Sequence, residues 1–246
     1  MSVTHPPEHP VDARPGAFGP RRTAAALLAV EGLLIFIPLL VLGSAIGWPA
    51  SLDDPAAIAL PRLLEEEGAV RAGYAVYLAY SVLFLPVAVW TTRVLTGGTD
   101  TLLSRVAVGF AVVSTLARAI GISRWLLSMP GLAAAYGDAS DASVREAVAV
   151  QYQVLNDFGG GIGEVLGVSL FAVGWLVCTV VAALRTGAAP RWLLIAGFPV
   201  AAGLALPLVE MAGADAGAAT SIGTALLHLW FLAAAATLVR RPRRPR

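Results

Sequence analysis

Seven side chains of this 246-residue sequence could do chemistry because of the solvent in which they sit. Glu31, Arg118, Arg124, Asp157, Glu164, Glu210 and His228 all fall inside, or at the edges of, long apolar stretches. An ionised side chain in hydrocarbon costs at least ~2.5–3.5 kcal/mol even on the lenient insertion scale, so such residues turn toward a bundle interior or a wet cavity. Glu31 and His228 lie near the middle of the first and last stretches. If those stretches are neighbours, a carboxyl and an imidazole can exchange a proton near neutral pH, and the two form a candidate proton-relay pair. The alternative is a hydrogen-bonded pair, or two separately satisfied residues.

The other five cluster toward one side of the bilayer, two basic and three acidic. Opposite charges at that depth are expected to pair, because an unpaired buried ion is far more costly than a matched one. Arg118 with Glu164, and Arg124 with Asp157 or Glu210, are the expected partners. Asp157 is placed on the Glu164 face because seven residues make nearly two helical turns. Such pairs could be interhelical clamps that only fix packing. They could equally line an outer-half polar cavity that binds a small solute or relays protons.

The elements that hold these residues follow from composition. The chain is 57% hydrophobic and 13% charged, with a mean hydropathy of +0.75, whereas soluble chains carry about 25% charged residues. A run of roughly 20 apolar residues crosses a ~30 Å hydrocarbon core as a helix. Lipid offers the backbone no hydrogen bonds, so continuous apolar runs must be helical. Six runs are predicted as helices: 23–47, 72–95, 101–128, 144–184, 191–211 and 218–239. The fold class is therefore all-α, a polytopic membrane bundle of six transmembrane helices. Residues 1–22 read as a disordered tail, 23–239 as the transmembrane domain, and 240–246 as a basic tail. The first run is expected to act as its own uncleaved signal anchor.

Several local signals refine these bounds. The stretch 56–64 fits a short interfacial helix, and 131–142 reads as a polar loop. Ser143-Val144-Arg145-Glu146 has the spacing of a capping box. The run 144–184 is about twice the length a membrane needs, so a break is expected near Gly159-Gly160-Gly161, with close backbone packing on these glycines as the alternative. Gly159, Gly163 and Gly167 form two Gly-x-x-x-Gly steps.

Arginine placement sets orientation. All 17 basic residues are Arg. Arg21 and Arg22 precede the first helix, Arg93 and Arg105 flank one turn, Arg185 and Arg191 flank another, and five arginines lie at and beyond the end of the sixth. The positive-inside bias puts all of them, and both termini, on the cytoplasmic side. The expected setting is the bacterial cytoplasmic (plasma) membrane. The Arg-rich C-terminal tail is expected to meet anionic lipid, or to serve only as a topology anchor. Nucleic acid is not an expected partner.

Other chemistries are excluded or unsupported. Without lysine, a retinal or pyridoxal Schiff base and a catalytic lysine are impossible. Cys178 is the only cysteine, so no intrachain disulfide or iron–sulfur site can form. His228 is the only histidine outside the N-terminal tail, which leaves no bis-histidine haem and no zinc ligand set. No cofactor and no metal are expected. The segment from Gly159 to Gly163 lacks the preceding strand of a dinucleotide fingerprint. Residues 23–128 and 144–239 show no internal similarity that would mark an inverted-repeat transporter.

The order of certain short motifs resembles that of uncharacterised six-helix bacterial integral membrane proteins grouped as a domain of unknown function. These motifs are Gly47-Trp48-Pro49, Arg124-Trp125, and Gly163-Glu164-Val165-Leu166-Gly167 with Trp175 further on. The resemblance implies the fold and supplies no activity. Three functional classes stay open: a structural or regulatory membrane protein with buried interhelical ion pairs and no enzymatic activity, a small-solute or proton-coupled transporter or binding protein, and an intramembrane lipid-modifying enzyme.

Overall fold

The computed structural model describes residues 19–214 and 219–240. Among these residues the structure is helical, without strands, and six helical spans are long and apolar enough to cross a membrane. The first span is α1 (Pro20–Leu34) followed by α2 (Phe36–Ile46), with Ile35 as the joint. A 3-10 turn (Ala50–Asp53) and the short α3 (Ala56–Glu65) lead into α4 (Glu67–Leu95). The third span is α5 (Leu102–Leu127), which runs on almost directly into α6 (Met129–Asp138). The fourth joins α7 (Ala142–Gly160), a π-helix (Gly161–Ala172) and α8 (Val173–Thr186). The fifth is α9 (Arg191–Ala205) with a 3-10 end (Leu206–Ala212), and the sixth is α10 (Ala219–Arg240).

Several elements differ from the sequence expectation. Residues 131–142 are not a loop: α6 occupies them as far as Asp138. α4 begins at Glu67, because the acidic segment before residue 72 is already helical. The cap before α7 is Asp141 and not Ser143. Ser143 donates both its amide (2.8 Å) and its hydroxyl (3.0 Å) to the Asp141 carboxylate, and these bonds hold that exposed carboxyl below the usual aspartate range. The capping box lies instead at Thr101 and Ser104, where α5 starts. The three glycines at 159–161 do not break the fourth span. The helix continues through them and widens to i→i+5 hydrogen bonding for 12 residues. α1 already includes Arg21 and Arg22, and Arg240 closes α10. Residues 1–18 of the predicted N-terminal tail, and Arg241 onward of the basic tail, lie outside the described residues.

The exterior is apolar and the interior holds the charge. Leu40 is 71% exposed and Leu116 60%, whereas Glu31 is 0% exposed. Such an arrangement suits hydrocarbon surroundings. Two apolar cores fill the bundle. The first, near the arginine-bearing helix ends, gathers Leu28, Phe84, Trp175, Leu176, Trp230 and Phe231. The second, toward α3 and α6, gathers Leu42, Leu60, Tyr74, Trp125, Met129 and Tyr152. The polar residues of each span fall between these cores: Glu31 in α1, Tyr80 and Ser81 in α4, Ser114 and Arg118 in α5, and Glu164 and Ser169 in the π-helix.

Lipid tails are as apolar as leucine, so helices associate through close packing and interhelical hydrogen bonds. Both are present. Trp175 Nε1 donates to Thr92 Oγ1 (3.1 Å), and Thr92 meets Thr179 at 2.9 Å. Trp230 Nε1 donates to the Leu193 carbonyl at 2.9 Å. Helix α5 and the π-helix meet backbone to backbone. A Cβ on Gly121 would lie 2.7 Å from the Gly159 carbonyl oxygen and 2.7 Å from Gly163 Cα.

Because backbone atoms cannot yield as a side chain can, Gly121→Ala is expected to cost about 1–3 kcal/mol. Gly109 faces open space, so Gly109→Ala should stay within about 0.5 kcal/mol of the parent. Reversible unfolding in mixed micelles compares the two. The Asp141 cap has its own pH signature. A lowered native pKa contributes stability above the unfolded aspartate pKa and loses it as pH falls through the native value. Amide exchange at Ser143 should therefore accelerate only in that acidic window, and Asp141→Asn should remove the dependence.

Candidate functional site

The polar layer between the two cores borders a cavity of 590 Å³. Its wall is mostly apolar, from Phe36, Leu39, Val168, Leu227 and Leu232, and its polar residues include Arg118, Glu164, Tyr77, Tyr80, Thr224 and His228. This size and balance fit small-molecule sites generally, which span roughly 300–1,000 Å³. Cavity and polar residues come together because α1 and α10, the first and last spans, pack against each other. At that crossing a Cβ on Gly32 would meet Leu232 Cδ2 at 2.9 Å. Beyond Ile35 the first span leans away, and α2 makes no substantial packing with α10.

Arg118 projects from the middle of α5 and is buried. Its guanidinium lies over the rings of Tyr80 (4.8 Å) and Phe84 (5.0 Å). The stem lies over Gly167, where a Cβ would come within 2.9 Å of Arg118 Cγ. Ser114, one turn before it, donates to the Gly167 carbonyl at 2.7 Å. Stacking and this glycine step position the cation without a carboxylate. The expected Arg118–Glu164 ion pair is not formed; among the described residues the ion pairs are Arg62–Asp54, Arg71–Glu67 and Arg105–Asp100, all near helix ends. Glu164 is half-buried and borders the cavity. The cation whose charge acts most on it is Arg124.

Arg124 does not pair with Asp157 or Glu210 either. It donates to the Gly121 carbonyl (2.9 Å) and to Asn156 Oδ1 (3.3 Å), and it lies over the Trp125 ring. Gly159 makes room for it, since a Cβ there would sit 2.5 Å from Arg124 Cδ. Asn156 in turn donates to the Leu52 carbonyl at 2.8 Å, tying the loop after α2 to α7. Asp157, one residue on, is exposed and accepts from Gln153 at 2.8 Å. Its expected alignment with Glu164 fails because the π-helix starts between them and changes the rotation per residue. Glu210 is exposed in the 3-10 end of the fifth span. Arg118, Arg124 and Glu164 do share a void of 20 Å³, about the volume one water requires.

Glu31 and His228 lie on neighbouring helices without touching as a pair. His228 Nδ1 is 2.6 Å from the Thr224 carbonyl, which can only accept, so that nitrogen carries the proton. A neutral ring then accepts at Nε2 from the Tyr80 hydroxyl, 3.0 Å away. Both carboxyl oxygens of Glu31 are buried without a hydrogen-bond partner among the described residues. The cation acting on Glu31 is Arg118. The relay candidates are thus separated by Tyr80 and Arg118.

Tyr80 is the site residue that charge alone does not reveal. The signal was present in the sequence. Tyr74, Tyr77 and Tyr80 recur every three residues, a stripe on one side of α4. Tyr74 stacks on Trp125 (4.9 Å), Tyr77 meets Trp48 edge-on (5.4 Å), and Tyr80 stacks near His228 (5.8 Å). Among the described residues, no three His, Cys, Asp or Glu side chains converge in a way that could hold a metal ion.

A clamp and a pair of separately held charges respond differently to mutation. A double-mutant cycle of Arg118→Leu with Glu164→Leu should give a coupling of about 0.5 kcal/mol or less, the value for independent sites. The Arg124→Leu and Asn156→Ala cycle should exceed that, since hydrogen bonds to charged groups are worth about 1.5–3 kcal/mol. Thermal unfolding of the four single and two double variants in one detergent measures both.

No curated protein and no solved structure matches this chain. One family model does, over residues 23–239, from the first span to the end of the sixth. The match encloses every residue of the polar layer and the whole cavity wall. This multi-pass membrane protein therefore belongs to the family described as the domain of unknown function DUF4386.

Proposed function

We propose that the protein binds a small solute, without chemical turnover, in the cavity bordered by Arg118 and Glu164. The observation that carries this reading is the state of those two groups. Both reach one 590 Å³ cavity, they are opposite in charge, and they do not neutralise each other. A purely structural role for buried charge favours tight mutual pairing. An open pocket with a few convergent polar groups is the usual form of a binding site. The clamp reading loses its main support with the missing ion pairs. The lipid-modifying reading required a catalytic pair at Glu31 and His228, and Tyr80 occupies the imidazole nitrogen that such a pair would use.

The setting proposed is the bacterial cytoplasmic membrane, with both termini inside. Its support is electrostatic. Arg22, Arg93, Arg105, Arg185, Arg191 and Arg240 all lie at the end of the bundle opposite α3 and α6, as the positive-inside bias requires. The polar layer then faces the outer half. The arginines of the tail would hold anionic lipid at about 1 kcal/mol each.

Thiol accessibility tests the reading without knowledge of the ligand. In a Cys178→Ser background, Val168→Cys puts a thiol on the cavity wall, and Val87→Cys puts one in the apolar core. A small charged methanethiosulfonate reagent should modify the first at least ~100-fold faster than the second, the ratio expected when a thiolate must form in water. Equal protection of both would overturn the proposal.

A further inference from the structure

We infer that the ligand is a zwitterionic amphiphile, one head carrying both a phosphate and an ammonium group, and that it enters sideways from the bilayer between α2 and α10. This rests on the solute-binding reading above and names its substrate class.

Three observations point to it. The first is charge. Arg118 presents a guanidinium to the cavity and Glu164 a carboxylate, held apart on different helices. A purely anionic head would satisfy Arg118 while bringing its charge toward Glu164. A purely cationic head would have the converse fault. A head with both signs satisfies both, the phosphate taking the planar donor fork of Arg118 and the ammonium taking Glu164. The second is aromatic lining. Trp48, Tyr77 and Tyr80 border the same space, and ring faces attract ammonium groups in desolvated sites.

The third is the direction of the opening. Exposed Phe36 and Leu39 border the cavity on one side, and exposed Ser221, Ala225 and Leu229 on the other. Phe36, Leu39, Ala225 and Leu229 lie along the flanks of two apolar spans, and Ser221, Trp48 and Pro49 continue the opening to the outer end of the bundle. The separation begins at Ile35, just past the tight α1–α10 crossing at Gly32. A polar pocket whose mouth is apolar and faces lipid suits a molecule with a water-seeking head and a lipid-seeking chain.

The test is equilibrium binding to the purified full chain in neutral detergent, with four probes: a lysophosphatidylethanolamine, its N-acetylated form, a lysophosphatidylglycerol of the same chain, and the chainless head glycerophosphoethanolamine. The lysophosphatidylethanolamine should bind at least about tenfold more tightly than each of the others, since one charge-assisted hydrogen bond is worth that much. Glu164→Gln should abolish its advantage over the acetylated form and raise the phosphatidylglycerol affinity, because the carboxylate that its head approaches is gone. Arg118→Leu should weaken all three lysolipids by a similar factor. Ala225→Trp, which narrows the opening, should weaken the lysolipids and spare the chainless head. Acetylated or anionic lysolipid binding as tightly as the zwitterion would overturn the head-group assignment. Chainless head binding as tightly as the lysolipid would overturn entry from the bilayer. Failure of every probe to bind, with Val168→Cys still reactive, would overturn this inference and leave the solute-binding reading intact; an unreactive Val168→Cys would remove that reading itself.

Discussion

The contact on which the rest of the structure depends is the backbone-to-backbone approach of α5 and the π-helix. Hydrocarbon supplies no hydrophobic force between helices, so their association relies on atomic packing and hydrogen bonds. Gly121 against Gly159 and Gly163 brings the two backbones to a separation that no side chain could occupy. Two arginines owe their positions to this approach. Arg118 lies along Gly167 on one side of the crossing, and Arg124 lies along Gly159 on the other. A methyl group at either glycine would displace a guanidinium stem. The glycines therefore pack the bundle and also decide where its two buried cations can be.

The π-helix is the second consequence of the same crossing. A regular helix through 161–172 would keep Asp157 and Glu164 on one face. The wider i→i+5 turn rotates the residues beyond it, so Glu164 faces the cavity while Asp157 faces outward and Asn156 takes the place beside Arg124. π-segments occur disproportionately at functional sites, and here one carries the only carboxylate on the cavity wall among the described residues. The neutral Asn156 also suits its position better than an aspartate would. It accepts from Arg124 and donates to Leu52, a bridge that a carboxylate, which only accepts, could not complete.

Much of the fold was legible from composition, since twenty-residue apolar runs have one outcome in lipid. All six spans could be read in this way, and the stretch 56–64 reads separately as the short helix observed at Ala56–Glu65. Signals that depend on tertiary context were not. Residues 131–138 read as loop because they are rich in Gly and Ala and include Tyr136 and Asp138, yet α6 packs on α3 and is thereby stabilised as helix. The glycines at 159–161 look like breakers in isolation and become a packing surface only when α5 is present. The site was legible in part. Sequence picked out Arg118, Glu164, Glu31 and His228 as groups in the wrong solvent, and the structure puts all four in one polar layer. It did not identify their partners. Charge alone suggests mutual pairing, whereas the fold holds Arg118 against rings and His228 between Thr224 and Tyr80, and leaves the Glu31 carboxyl without a hydrogen-bond partner among the described residues.

The partners chosen bear on function. A cation stacked on two rings and a glycine-lined helix is held in place without being neutralised, and Arg is suited to this because its guanidinium is weakly hydrated and stacks on aromatic faces. Pairing Arg118 with Glu164 would neutralise both charges and would need only a different helical phase. The π-helix sets the phase that leaves both groups facing open space. Tyr80 then ties Arg118 to His228 through a ring face and a hydroxyl, and His228 is fixed on α10 by Thr224. The charge on α5 is thereby linked, through α4, to the helix that forms one wall of the lateral opening. A ligand that pulled the Arg118 guanidinium off the Tyr80 ring would act on this chain at its first link, and the next groups along it are His228 and α10. Binding chemistry and the geometry of the entrance are thus connected by a continuous set of contacts, each made by a side chain that lipid alone would not tolerate.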